Sequence, residues 1–306
     1  MKNTFVLVII SLLLISCGQK ASELGFNLEK GKTYNQVTSS KSTITQNISN
    51  EEVKMILTVD GDISYLVKSV EGDSYKLEAV YNNLAMIMEM KQGTFDFSSE
   101  KHDDSDYVST ILGAMINKPF EVIISKSGKV KEVNNISRLW DSAIDELSDL
   151  NTNQKKQINK QIVKAYGLKS FKGNFEISTG IYPENTVAKG DTWKIETLLE
   201  SGLSAKLSTN YTYKDLVDGK AIIEGQSIIS STEKDVYVES NGMQVKYDIE
   251  GTMQSEIKVD PKSGWILEAN IIQDMSGTTT IKESPELPEG MTIPIQLSNE
   301  IIVSSN

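Results

Sequence analysis

Residues 65–81 read YLVKSVEGDSYKLEAVY, and this stretch decides the fold class. Its two arms, residues 65–70 and 75–81, are rich in aromatic, β-branched and alternating apolar residues, as β-strands are. Between the arms lies Glu71-Gly72-Asp73, an acidic-glycine segment that is typical of a tight turn. The stretch therefore predicts a β-hairpin.

The same succession of strand, glycine turn and strand recurs along the chain. It is found at three further places, residues 120–133, 211–224 and 257–269. Short strands that alternate with turn residues are typical of all-β proteins, so we predict a mainly β fold built from curved antiparallel sheet. Near the end of the chain, Pro285, Pro288 and Pro294 predict an extended crossing before a last strand at residues 300–303.

The hydrophobic period changes from two to about 3.6 in the middle of the chain. The first helical stripe consists of Ile136, Leu139, Trp140, Ala143, Ile144 and Leu147. The second stripe consists of Ile158, Ile162, Ala165 and Tyr166, and Gly167 is suited to end it. We predict an amphipathic helical hairpin over residues 135–169.

The β-rich parts on either side of this hairpin look like two copies of one unit. Residues 30–34 (KGKTY) are similar to residues 189–193 (KGDTW), and residues 126–134 (KSGKVKEVN) share five identities with residues 262–270 (KSGWILEAN). We therefore predict two related β lobes, joined by the helical hairpin.

The predicted boundaries follow from these copies. The first lobe covers residues 28–134, the helical hairpin covers residues 135–169, and the second lobe with its C-terminal crossing strand covers residues 170–306. The alternative architecture is a single large half-barrel wrapped around helices, as in periplasmic lipoprotein carriers.

The N-terminus has the pattern of a bacterial lipoprotein signal. Lys2 supplies a positive charge, residues 5–15 are apolar apart from Ser11, and Leu-Ile-Ser-Cys at residues 14–17 forms a lipobox. We predict that residues 1–16 are a signal peptide, that Cys17 carries the lipid anchor, and that residues 17–27 include a short tether. Because Gly18 and not aspartate follows Cys17, we favour an outer-membrane location facing the periplasm.

Composition excludes several functional classes. The net charge of −11 argues against nucleic acid as a partner, since phosphate recognition needs clustered lysine and arginine. Cys17 is the only cysteine, so the fold contains no disulfide within one chain. We expect the membrane to be reached through the acyl chains on Cys17, because the acidic body of the protein does not favour anionic lipid.

The search for a catalytic or metal site selects no residue. His102 is the only histidine, and it lies among the carboxylates Asp103, Asp104 and Asp106 in a polar stretch. We interpret this stretch as an exposed loop because it is polar and flanked by serines. Its aspartates do not form an EF-hand calcium loop, since the glycine and the distal glutamate of that loop are missing. The sequence contains no phosphate-binding P-loop and no nucleophile elbow. We therefore predict no catalytic residue, no metal and no cofactor.

The most distinctive local feature is Leu84-Ala-Met86-Ile-Met88-Glu-Met90, in which Leu84 and the three methionines share one strand face. We favour the interpretation that they fill an irregular core. The alternatives are that Met86, Met88 and Met90 line the site of an apolar ligand, or that their thioethers bind Cu(I). Trp193 and Trp265 are capable of stacking on sugars, but we expect them to pack inside.

Some of these segments carry a resemblance. Phe95-Asp96-Phe97-Ser98, Lys118-Pro119-Phe120 and the stretch from Ile181-Tyr182-Pro183 to Trp193 resemble a family of secreted bacterial lipoproteins that is catalogued as a domain of unknown function. The resemblance covers residues 28–275 and rests on turn and strand-start motifs. It implies a lipid-anchored, mainly β envelope protein and offers no functional residue to carry over.

For the function, the sequence leaves three interpretations open. We favour a non-enzymatic envelope lipoprotein that binds a partner protein or acts as a scaffold. The first alternative is a carrier or sensor of an apolar or lipid ligand in a β-sheet cavity, which the methionines suggest. The second is a hydrolase of glycan or lipid that works through a pair of carboxylates.

Overall fold

The computed structural model describes residues 22–48, 51–101, 103, 105–200, 204–240, 242–285 and 287–305. The strands are β1 (Thr33–Ile48), β2 (Glu51–Glu71), β3 (Ser74–Met90), β4 (Gly93–Ser98), β5 (Pro119–Ser125), β6 (Val130–Asn134), β7 (Thr192–Glu200), β8 (Ser204–Val217), β9 (Lys220–Ser231), β10 (Val238–Ser240), β11 (Met243–Val259), β12 (Ile266–Ile281) and β13 (Met291–Ser304). The helices are α1 (Tyr107–Met115), α2 (Ile136–Asp145), α3 (Thr152–Tyr166) and α4 (Leu168–Thr179). In this described part of the chain, none of the helices is long and apolar enough to span a membrane.

All strands belong to one antiparallel sheet. Its order is β6-β5-β3-β2-β1-β13-β12-β11-β9-β8-β7, with β4 paired to β3 and β10 paired to β11. The mainly β prediction is confirmed, and the predicted hairpins correspond to β2–β3, β5–β6, β8–β9 and β11–β12. The predicted last strand is longer than expected, because β13 begins at Met291. Pro294 is tolerated within it since the pairing of β13 with β1 begins only at Ile295.

The two predicted lobes are not confirmed as separate bodies. The strands of the first copy and those of the second copy run in the same order along the sheet, and β13 lies between them. Ile301 of β13 is paired with Ser40 of β1 on one side and with Ile271 of β12 on the other. These hydrogen bonds join both copies into one continuous sheet, which agrees with the alternative single-sheet architecture.

The two copies nevertheless have the same local backbone geometry. The N–H of Gly31 donates to the carbonyl of Val67, and the N–H of Val67 donates back to the carbonyl of Lys32. In the second copy Gly190 donates to Tyr213, and Tyr213 donates to Asp191. Both glycines have positive φ angles, 83° and 92°, which a residue with a side chain rarely adopts.

The faces of the sheet differ in charge. We call the face that carries the buried core the inner face, and strand register assigns each side chain to it or to the opposite, outer face. Apart from Glu51 at the tip of the β1–β2 hairpin, no strand position that the structure describes on the inner face carries a charged side chain. The outer face carries cross-strand ion pairs such as Lys206–Glu196 at 2.8 Å and Lys214–Glu224 at 3.0 Å.

Helix α4 shows that the sheet is strongly curved. It contacts β6 and β7, which are the opposite ends of the strand order, and it also contacts β12 in the middle. Since α4 has only 12 residues and is about 18 Å long, both ends of the sheet must bend towards it. At one end the carboxylate of Glu176 accepts a hydrogen bond from the N–H of Val130 at 2.7 Å. The inner face is therefore the enclosed side of the sheet.

The predicted helical hairpin corresponds to α2 and α3. The inward residues of α2 are buried as its pattern predicts, and Asn151 caps α3 by accepting from the N–H groups of Asn153 and Gln154. Helix α4 was not predicted, because residues 170–179 were assigned to the second lobe. Its residues Phe175, Ile177 and Thr179 are all buried, so it shows no simple amphipathic stripe.

Candidate functional site

An apolar surface lies on the inner face, near the start of β2 and the end of β3. We call it the methionine patch and define it by Met55, Leu57 and Val59 of β2 together with Met86, Met88 and Met90 of β3. Register places these residues side by side, since Leu57 is paired with Met88 and Val59 with Met86. On the next strand, β4 continues the patch with Phe95 opposite Met88 and Phe97 opposite Met86.

The members of the patch are partly exposed, in contrast to the buried core below them. On β3 the core positions Tyr75, Leu77 and Ala79 are buried, whereas Met86, Met88 and Met90 are not. This change from buried to partly exposed side chains follows a β-bulge at Asn82, where two residues of β3 lie opposite one residue of β2. The bulge keeps the methionines on the inner face, but they lie beyond the buried core.

A hydrogen-bonded polar row crosses the same face beside the patch. We call it the polar row, and it consists of Ser40, Ser42, Asn299, Gln273, Ser227 and Thr209. Ser40 and Ser42 each donate to Oδ1 of Asn299 at 3.0 Å, and Nδ2 of Asn299 donates to Oε1 of Gln273 at 3.0 Å. On the far side of β11, the hydroxyls of Ser227 and Thr209 are 2.8 Å apart.

The polar row and the methionine patch share one line across the sheet. From β13 to β4 the paired residues are Asn299, Ser42, Leu57, Met88 and Phe95. Neighbouring strands are about 4.8 Å apart, so Asn299 lies about 14 Å from Met88. On the inner face, the apolar methionine patch is therefore followed directly by an amide network in which Asn299 is partly exposed and Gln273 is buried.

The first described residues of the chain lie at the opposite end of the sheet. Ser22 pairs with Val187, and Phe26 donates from its backbone to Lys126 in the β5–β6 turn. Tyr75 donates to the carbonyl of Phe26 at 2.7 Å, and Met88 lies thirteen residues further along the same strand. At about 3.3 Å per residue this corresponds to about 40 Å between the N-terminal segment and the patch.

The core at that end is closed and aromatic. Trp265 is buried and contacts the rings of Phe26, Tyr34 and Tyr65 at centroid distances of 5.8, 4.9 and 5.6 Å. Burial raises the pKa of Tyr65 well above its ordinary value, as expected where water is excluded. Trp193 stacks on Tyr211 and donates to the carbonyl of Ile181 at 2.8 Å. Trp265 therefore packs inside as expected, whereas Trp193 is partly buried against the edge of the core.

The acidic loop around His102 is only partly described. His102 and Asp104 lie outside the described residues, as does Cys17. Asp106 accepts from the N–H and the hydroxyl of Ser109, at 3.0 and 2.6 Å, and so caps α1. Among the residues that the structure does describe, no group of three or more histidine, cysteine or acidic side chains is arranged to hold a metal ion.

A shallow depression of about 290 Å³ lies on the outer face. Its lining includes the cross-strand pair Glu224 and Glu256. Each carboxylate is matched by a lysine, Glu224 by Lys214 at 3.0 Å and Glu256 by Lys258 at 3.9 Å. Next to this pair, hydrogen bonds from Lys220 and Lys258 lower the pKa of Glu268 to about 2. The depression is thus part of an exposed ion-pair network.

Comparison with known proteins gives one match at the level of sequence. The matching family model is described as a family of unknown function, DUF6263, and it covers residues 72–266. No curated protein matches the chain.

Comparison with solved structures gives matches that share little sequence with this chain. Lipovitellin, solved in work on its lipid–protein interactions, has a TM-score of 0.48 and 10% identity over 91% of this chain, which spans only 25% of the lipovitellin chain. An outer membrane channel from Pseudomonas putida F1 has a TM-score of 0.27 and 8% identity over 92% of this chain and 97% of its own. A domain described as an outer membrane lipoprotein-sorting protein from Vibrio parahaemolyticus has a TM-score of 0.14 and 9% identity over 88% of this chain and 83% of its own.

Proposed function

The chain belongs to the family of unknown function DUF6263. From the geometry of its inner face, we propose that it binds the apolar chain of a lipid-like molecule at the methionine patch. The observation that carries this proposal is the partial exposure of Met86, Met88 and Met90 on the enclosed face of the sheet. Methionine is flexible and polarizable, so a surface rich in it adapts to apolar ligands of variable shape. The proposal is a non-enzymatic binding role.

The charge distribution supports an apolar ligand. A contiguous apolar surface on an otherwise charged protein marks a binding site. Apart from Glu51 at the hairpin tip, the strand positions around the patch on the inner face are uncharged, whereas cross-strand ion pairs such as Lys206–Glu196 and Lys214–Glu224 lie on the outer face.

The occupant is a separate molecule and not the protein's own lipid. The predicted anchor at Cys17 is five residues from Ser22, and five residues span at most about 20 Å. The patch lies about 40 Å along the strands from the segment that follows Ser22. A tether of this length leaves Cys17 well short of Met88, so we expect a separate molecule to occupy the patch.

We expect a charge at Met88 to abolish ligand binding without unfolding the protein. Met88→Asp should weaken binding of the uncharged fluorophore N-phenyl-1-naphthylamine by about tenfold or more, because a carboxylate is costly to desolvate against an apolar ligand. Since Met88 is partly exposed, Met88→Ala should cost less than about 1.5 kcal/mol of unfolding free energy, below the range for core truncations. Fluorescence titration and urea unfolding measure the two effects.

Ile87→Asp is the matched control for this experiment. Ile87 is the preceding residue on β3, is also partly exposed, and lies on the outer face. We expect Ile87→Asp to bind the fluorophore as the wild type does. Equal binding by Met88→Asp and the wild type, or equal loss in both variants, would contradict a site on the inner face.

We further propose that Cys17 anchors the protein to the outer membrane, facing the periplasm. The lipobox at residues 14–17 motivates this location. Cys17→Ala should move the protein from the membrane fraction and leave the precursor uncleaved by the lipoprotein peptidase. The check is membrane fractionation with and without globomycin, and processing of the wild type that is insensitive to globomycin would refute the anchor.

The outer face supports a second candidate function, the binding of a partner protein. Ile228, Ile272 and Ile302 are exposed there on β9, β12 and β13. Ile272 and Ile302 are diagonal neighbours, since Ile302 is paired with Asn270. Cross-linking in membranes followed by pull-down tests this role, and loss of a cross-linked product in Ile272→Asp with the fluorophore still bound would separate it from ligand binding.

A further inference from the structure

We propose that the polar row recognises the uncharged polar head of an amphiphile whose apolar chain lies on the methionine patch. The head supplies hydroxyl or ester oxygens as hydrogen-bond acceptors. This inference rests on the proposed function and names the chemical class of the ligand.

The first argument is the position of the row. Asn299 and Ser42 are paired with each other, and Ser42 is paired in turn with Leu57 of the patch. A ligand that follows this line passes from apolar side chains to amide and hydroxyl groups within a few strands. Amphiphiles have the same succession of chemistry along their length.

The second argument is a buried donor with a poor acceptor. The side chain of Gln273 is only 4% exposed, and its Oε1 is used by Asn299. Its Nε2, which has two hydrogens to donate, donates to Sδ of Met253 at 3.4 Å, and among the described residues no other acceptor is recorded for it. A thioether sulfur is a weak acceptor, and an under-satisfied buried amide is costly. An oxygen of a ligand head would be a stronger acceptor for this amide.

The third argument is a second buried donor close to the first. Oγ of Ser255 on β11 is buried without a hydrogen-bond partner among the described residues. Ser255 lies on the inner face as a diagonal neighbour of Gln273, because Gln273 is paired with Met253 and Ser255 is two residues further along β11. The hydroxyl of Ser255 and the ring of Tyr211 fill the space beside Gly225 on the neighbouring strand, where a Cβ atom would collide with both. Two donors, an amide and a hydroxyl, thus face the same part of the enclosed side.

The charge of the inner face selects the kind of head. No strand position that the structure describes near the row carries a lysine or arginine on this face. An ionised carboxylate or phosphate buried there would lack a counter-charge, and burial of an unpaired charge is strongly unfavourable. The site therefore favours an uncharged ester or hydroxyl over an anionic head.

The experiment measures displacement of N-phenyl-1-naphthylamine from the mature chain, residues 17–306 with Cys17→Ser, which keeps every described element. The competitors are glycerol monodecanoate, which is uncharged, and decanoate, which is ionised near pH 8. We expect glycerol monodecanoate to displace the fluorophore at a concentration about tenfold lower than decanoate does. Gln273→Met and Asn299→Leu should reduce this preference to about twofold or less while the fluorophore still binds.

Asn270→Leu is the matched control, because Asn270 is an exposed residue of β12 on the outer face. It should keep the wild-type preference. If Gln273→Met fails to fold, as judged by circular dichroism, Asn299→Leu decides, since Asn299 is partly exposed. A wild type without a preference for the uncharged ester, or variants that retain it, would overturn the inference and leave the proposed function standing. A wild type that does not bind the fluorophore would refute the proposed function itself.

Discussion

Gly128→Ala is expected to lower the free energy of unfolding by about 3–5 kcal/mol. Gly128 has a φ angle of +84°, so any side chain is strained there. A Cβ atom would also lie 1.7 Å from the carbonyl oxygen of Thr179, at the end of α4. Because that contact is with backbone, no side-chain rotation relieves it, and α4 must move from the β5–β6 turn.

Gly72→Ala is the control that separates strain from the contact with α4. Gly72 also has a positive φ, +60°, but a Cβ atom there meets nothing within 4 Å. We expect it to cost only about 1–2 kcal/mol, the strain of the left-handed conformation. Urea unfolding followed by circular dichroism measures both variants. Equal costs for the two glycines would mean that α4 does not pack against the β5–β6 turn.

Trp265→Ala is expected to cost about 3–5 kcal/mol, in the range of buried aromatic truncations. Trp265 joins the N-terminal segment, β1 and β2 through ring contacts with Phe26, Tyr34 and Tyr65. Its Nε1 also donates to the carbonyl of Asn35 and to the hydroxyl of Ser305, at 3.2 and 2.9 Å. The truncation leaves a cavity and removes a donor from these acceptors.

Trp193→Ala is the comparison, since Trp193 is only partly buried and stacks on one ring, that of Tyr211. We expect its cost to be smaller than that of Trp265→Ala by at least about 1 kcal/mol. The same urea titrations give both values. A Trp265→Ala variant as stable as Trp193→Ala would show that the aromatic cluster does not hold the N-terminal segment to the sheet.

Local patterns in the sequence were sufficient to predict most of the strands and helices. The alternation in residues 65–81 and its glycine turn predict β2, β3 and the turn between them, because side-chain alternation and positive φ are properties of a few neighbouring residues. The stripe from Ile136 to Leu147 predicts α2 for the same reason. Helix α4 escaped prediction since it is enclosed on several sides and has no single apolar face.

The candidate site was predictable only in part. The period of two places Met86, Met88 and Met90 on one face from sequence alone, and the prediction that they line an apolar ligand site stays a prediction. The sequence favoured a core position for them, whereas the structure leaves them partly exposed. That difference depends on how far the buried core extends beyond the bulge at Asn82, which is a property of packing and not of local pattern.

What the sequence determined by itself is therefore the mainly β class, the hairpins, the two helices of the predicted hairpin and the face that each strand residue shares with its neighbours. Only the tertiary structure decided that β13 joins both copies into one sheet, and that Ser40 and Asn299, 259 residues apart, share a hydrogen bond in the polar row. The physical reason is the distance along the chain over which each interaction acts. Alternation and turn propensity act over a few residues, whereas the choice of neighbouring strands depends on long-range hydrogen bonding and burial that no short segment encodes.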